Sequence, residues 1–158
     1  MDYTILKLDL SAIHLKTLPS DISSYTQLEV LQCVSNQLTH LDNLPQTLQT
    51  LCCGFNNIVS LDNLPLTLKT LICLNNKITS LDYLPLTLKV LNCSYNNIHN
   101  LDNLPLTLEQ LYCNNNQLME LANLPLTLNV LFCYNNPLIY DFKPTPENIR
   151  NYHNKIDS

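Results

Sequence analysis

Glycine is almost absent: Gly54 is the only one in 158 residues. The P-loop and the dinucleotide fingerprint both need several positions where backbone can approach phosphate without a Cβ, so neither nucleotide loop can be built. Charge is scarce too, at 13% of residues, and eight Lys and Arg against thirteen Asp and Glu leave a net charge of -5. That sign opposes capture of a phosphate backbone, so no nucleic-acid partner is expected. No run of about 18 apolar residues occurs, and no membrane association is expected. The start, MDYTILKLDLSAIH, lacks the basic segment and apolar stretch of a secretory leader, which predicts a cytoplasmic protein. Seven cysteines is an odd number for a disulfide framework and fits a reducing compartment.

Leucine and asparagine are abundant instead, and they recur. Residues 41–60 read LDNLPQTLQTLCCGFNNIVS, and the same pattern fills 61–80, 81–100, 101–120 and 121–140. Every copy contains L-x-x-L-x-C-x-x-N-x-(I/L), as in Leu48, Leu51, Cys53, Asn56 and Ile58. Leu28, Leu31, Cys33, Asn36 and Leu38 repeat it upstream, and Leu128, Leu131, Cys133, Asn136 and Leu138 repeat it downstream. Ile5, Leu8, Leu10 and Leu15 make a first, imperfect copy with Ile13 in the Asn position, followed by a 23-residue step. One such unit cannot bury its leucines alone, whereas stacked units bury theirs against neighbours.

These positions resemble the leucine-rich repeat, with cysteine in the second strand position. The 20-residue length with L-P-x-x-L between strands resembles the short repeats of bacterial type III secreted effectors. The Cys-bearing, Asn-rich form resembles repeat proteins encoded by amoebal giant viruses. The resemblance implies a horseshoe solenoid and a host protein as target, met in the host cytoplasm if the chain is viral.

The residues themselves predict the same body. Leu51 and Cys53 lie two apart and face the core, while Thr50, Cys52 and Gly54 face away. About seven such strands form a parallel, concave sheet within a single domain, 1–158. Residues 1–27 make the first repeat and cap, 28–138 the regular repeats, and 139–158 a C-terminal cap. The return legs carry Pro19, Pro45, Pro65, Pro85, Pro105 and Pro125 and are too short for ordinary helices, so they should be extended or polyproline-like. Thr145 reads as the N-cap and Pro146 as the first residue of a capping helix, with Ile149, Tyr152, His153 and Ile156 on its inner side. Residues 1–4 cover the other end less fully and leave the first strand as an open edge.

Several columns invite a chemical reading. Cys33, Cys53, Cys73, Cys93, Cys113 and Cys133 recur every twenty residues and are expected to be core thiols, since parallel register points them the same way rather than at each other. No metal or other cofactor is expected, because His14, His40, His99 and His153 do not complete a ligand pattern with them. Cys52, at an outward position, is the expected exposed thiol, but Gln32 and Ile72 beside it supply no base for a nucleophile. Asn36, Asn56, Asn76, Asn96, Asn116 and Asn136 should satisfy turn backbone groups rung by rung. Asp42, Asp62, Asp82 and Asp102 are expected to cap N–H groups of their own turns.

Columns that repeat serve the fold, and those that vary are released from it. The outward positions vary most. They gather Phe55, Ile72, Leu74, Tyr95, Tyr112, Phe132 and Tyr134 into a nearly uncharged strip of the kind used for protein contact. The expected function is therefore a non-catalytic scaffold binding another protein through its concave face. The alternative is a self-associating structural protein, a homodimer or larger assembly joined through the strip or the N-terminal edge.

Overall fold

The computed structural model describes residues 4–156. Residues 1–3, expected at the first rung, and the side chain of Ile156 lie outside the described residues. Seven three-residue strands follow in chain order: β1 Lys7–Asp9, β2 Val30–Gln32, β3 Thr50–Cys52, β4 Thr70–Ile72, β5 Val90–Asn92, β6 Gln110–Tyr112 and β7 Val130–Phe132. All neighbours pair in parallel to form one sheet in the order β1 to β7. Register equals the repeat: Leu51 lies beside Leu71 and Leu111 beside Leu131, while Leu8 meets Leu31 across the longer first step. A short 3-10 turn, Ile22–Ser24, takes up those extra residues and drives Ile22 into the core.

Periodicity decides what is buried. The strand-centre residues Leu31, Leu51, Leu71, Leu91 and Leu111 are fully buried, as are Leu48, Leu68, Leu88 and Leu108 three residues earlier. Each contributes roughly 1.5 to 3 kcal/mol of transfer free energy. Leu131 is only half-buried, because β7 has no further strand beside it.

The legs between strands contain no α-helix, and the prolines at 45, 65, 85, 105 and 125 are buried. Each leg makes one tight turn there, where Leu68 N donates to Pro65 O at 3.1 Å and its equivalents do likewise. Threonines lock successive legs together: the Thr67 hydroxyl donates toward Leu48 O at 2.7 Å and Gln46 O at 2.9 Å.

The asparagine column joins rung to rung. Asn76 Oδ1 accepts from Ile58 N at 2.9 Å, while its Nδ2 donates to Cys53 O at 3.1 Å and Cys73 O at 3.0 Å. Asn56, Asn96 and Asn116 repeat these bonds one rung earlier or later. At the first rung Asn36 Oδ1 accepts from both Ile13 N and Leu15 N, leaving the Ile13 side chain exposed.

Helix α1, Pro146–Ile156, closes the C-terminal end. Asn148 N donates to Thr145 Oγ1 at 3.1 Å, a side-chain N-cap, with Pro146 in the first turn where its missing N–H costs nothing. Ile149 is buried, and Arg150 Nη2 donates to Leu128 O, an otherwise open carbonyl of the last rung. Tyr140 makes an edge contact with Tyr152 at 5.2 Å and a 3.0 Å hydrogen bond with His153 Nε2.

Candidate functional site

The face of the sheet turned away from the core collects the variable columns. Phe132 and Tyr134 are exposed on it, and Ile72, Leu74 and Tyr112 are half-exposed. Tyr112 and Phe132, on adjacent strands in register, stack with ring centroids 5.2 Å apart and planes 8° from parallel. A stacked pair on rigid strands presents a flat apolar surface at little conformational cost.

Two columns depart from simple alternation. Alternation predicts Gly54, Ser94 and Asn114 outward, but all three are buried. At Gly54 the reason is Leu74, whose Cδ2 would lie 2.9 Å from an added Cβ. The lone glycine therefore makes room for a neighbour, and it does not have positive φ. Asn114 Nδ2 donates to Ser94 Oγ at 3.3 Å, while Asn114 Oδ1 is buried with no protein partner.

The second departure involves Phe55 and Tyr95. Ser35, Phe55, Asn75, Tyr95, Asn115 and Asn135 occupy one column, and all have φ between 53° and 56°. This left-handed region suits asparagine and costs a bulky L-residue on the order of 1 to 2 kcal/mol. Phe55 and Tyr95 hold it nevertheless, with 49% and 53% of their surface exposed. The repeated Asn in this column is the sequence signal of left-handed geometry, and strand alternation alone misses it.

The cysteine column is unreactive by environment. Cys33, Cys53, Cys73, Cys93 and Cys113 are fully buried, Cys133 nearly so, and all are free thiols. Burial pushes Cys33 and Cys93 up to about 12 and Cys133 to about 11. Cys52 is half-exposed, the most accessible of the seven, and burial raises its pKa as well. Among the described residues no group of His, Cys, Asp and Glu is placed to hold a metal ion. The aspartates do not cap their turns as expected. Asp62 and Asp82 instead accept from the hydroxyls of Ser60 and Ser80, donors two residues earlier that reach the carboxylate, and Asp42 lies 3.6 Å from His40 Nε2.

No protein-family model matches the chain, and no curated protein matches it. Solved structures do. YopM, a leucine-rich effector protein from Yersinia pestis, superposes with a TM-score of 0.81 at 32% identity over 86% of this chain and 38% of that one. A Shigella effector leucine-rich repeat domain gives 0.75 at 27% identity, covering 98% of this chain and 77% of that one. An internalin from Listeria monocytogenes gives 0.77 at 26% identity, covering 89% and 48%. This chain thus spans less than half of the Yersinia and Listeria proteins.

Proposed function

We propose that this leucine-rich repeat solenoid is a non-catalytic scaffold that holds a partner protein against Phe55, Ile72, Leu74, Tyr95, Tyr112, Phe132 and Tyr134. The observation that carries the reading is the placement of two exposed aromatic rings on left-handed backbone, in a column where three of the other four rungs use asparagine. Strain held at an exposed site points to a use for the side chain, since the fold alone would favour Asn there. The stacked Tyr112–Phe132 pair adds a flat anchor beside them.

Similarity to the Yersinia and Shigella effectors favours a host-cell protein as the target. Six buried, unpaired thiols in the column suit work in a reducing cytoplasm. The net negative charge disfavours nucleic acid as the ligand. Self-association through the N-terminal edge is less favoured, because β1 carries Lys7 and Asp9 exposed on that edge, and charge there discourages strand addition. The test is capture from a host-cell lysate with the native protein and with a Tyr112→Ala, Phe132→Ala, Tyr134→Ala variant. Loss of specific proteins from the variant is expected, and identical recoveries would remove the strip from consideration.

A further inference from the structure

The most exposed apolar side chains lie on the return legs, away from the strip. Leu66, Leu86, Leu106 and Leu126, one per rung, are exposed by 76%, 78%, 79% and 85%. The fold does not require leucine there. Gln46 fills the same position one rung earlier, and the turn still forms, with Leu48 N donating to Pro45 O at 3.3 Å against 3.1 Å for Leu68 to Pro65. The row is also held rigidly. Carbonyls of Leu66, Leu86 and Leu106 accept from the hydroxyls of Thr87, Thr107 and Thr127 at 2.7, 2.7 and 2.8 Å. Tyr83, 80% exposed, borders the Leu66 end across a shallow pocket of about 400 Å³.

We propose that this leucine row is a homodimer interface in which two copies of the chain pack row against row. Two quantities single out a second copy as the occupant. An exposed leucine side chain offers on the order of 100 Å² of apolar surface and a tyrosine about 150 Å², so the row with Tyr83 offers roughly 550 Å². A stable interface buries about 800 Å² per partner, roughly 60% of it non-polar, which is about 500 Å². The second quantity is symmetry. Four identical side chains at equal one-rung intervals match their own antiparallel copy about a two-fold axis through the midpoint between Leu86 and Leu106. Every leucine then meets a leucine without any complementary surface being needed. Backbone already fixed by the threonine bonds leaves little freedom to lose on association. This interface lies apart from the aromatic strip and leaves the strip free.

Sedimentation velocity on the full chain, from micromolar to millimolar concentration, tests the proposal. The native protein should show a reversible monomer–dimer equilibrium. Leu86→Gln with Leu106→Gln, which copies the residue type found naturally at Gln46, should raise the dimer dissociation constant at least about a hundredfold. At concentrations where the native chain is monomeric, its melting profile and circular dichroism should match the native ones, since both side chains are exposed. The Tyr112→Ala, Phe132→Ala, Tyr134→Ala variant should dimerise like the native chain, which separates this surface from the proposed recognition face. A native protein that stays monomeric throughout overturns the proposal. So does a dimer abolished by the strip variant but untouched by the glutamines, or a monomer that instead pellets with phosphatidylcholine vesicles.

Discussion

Replacing Asn76 by alanine removes one rung of the internal amide column without touching the apolar core. Asn76 is 8% exposed, and its loss strands Ile58 N, bonded to its side chain at 2.9 Å, and takes one of two amide donors from Cys53 O and from Cys73 O, which Asn56 and Asn96 still reach. A buried polar group left unmatched costs roughly 1 to 3 kcal/mol, and a bond lost from a carbonyl that keeps another donor about 0.5 to 1 kcal/mol, so the whole should cost about 2 to 5 kcal/mol. For a domain stable by on the order of 5 to 15 kcal/mol this is a large fraction. Asn136 provides the control. It makes the equivalent bonds to Leu118 N, Cys113 O and Cys133 O, but the last rung is half-open and water can replace it. Asn136→Ala should therefore cost only about 1 to 2 kcal/mol. Urea unfolding of both variants measures the difference as a shift in midpoint at constant slope. Equal losses at the two positions, or a loss below about 1 kcal/mol at Asn76, would refute the reasoning.

The thiol column makes stability pH-dependent in a stated direction. An ordinary thiol ionises near 9.0, whereas Cys33 and Cys93 in the fold ionise near 12 and Cys133 near 11. The unfolded chain thus releases protons first, so stability is fully present below pH 9 and is lost as pH rises toward 12. The slope of stability against pH in that window should flatten in a Cys33→Ala, Cys93→Ala variant. Iodoacetamide at neutral pH should label Cys52 before any ladder cysteine, as mass spectrometry of digests would show; early labelling of Cys73 would contradict its burial. Gly54→Ala should destabilise by about 1 kcal/mol, because the new Cβ meets Leu74 Cδ2 at 2.9 Å and Leu74 O at 3.1 Å. Calorimetry should find the cost of Gly54→Ala smaller when it is measured in a Leu74→Ala background, where the Cδ2 contact is gone.

The sheet is legible in the sequence because a column repeated at fixed spacing reports one environment several times. Leu51 and its equivalents, the cysteines and Asn56 with its equivalents all lie where the period puts them. Leu66 is not legible. In L-P-L-T-L three leucines look alike, and only the tight turn from Pro65 to Leu68 turns the middle one outward while Leu64 and Leu68 go in. The threonine bonds between legs are hidden for the same reason. At the site, alternation places Ile72 and Tyr112 correctly on the outer face but fails at Ser94 and Asn114, two short polar side chains that are buried and bonded to each other. The conformation of Phe55 and Tyr95 escapes because aromatic residues rarely adopt it, and only comparison down their own column reveals that it is shared.

The central claim is that two aromatic rings are kept at a cost to the fold for the sake of recognition, and the Phe55→Asn, Tyr95→Asn variant tests it most directly. Asparagine relieves the left-handed backbone by about 1 kcal/mol at each position, so the melting temperature should rise by roughly 4 to 8 °C. Capture of host-cell proteins by the same preparation should fall. A variant that melts higher and captures nothing specific is the predicted result; one that melts no higher, or recovers the same proteins as the native chain, contradicts it.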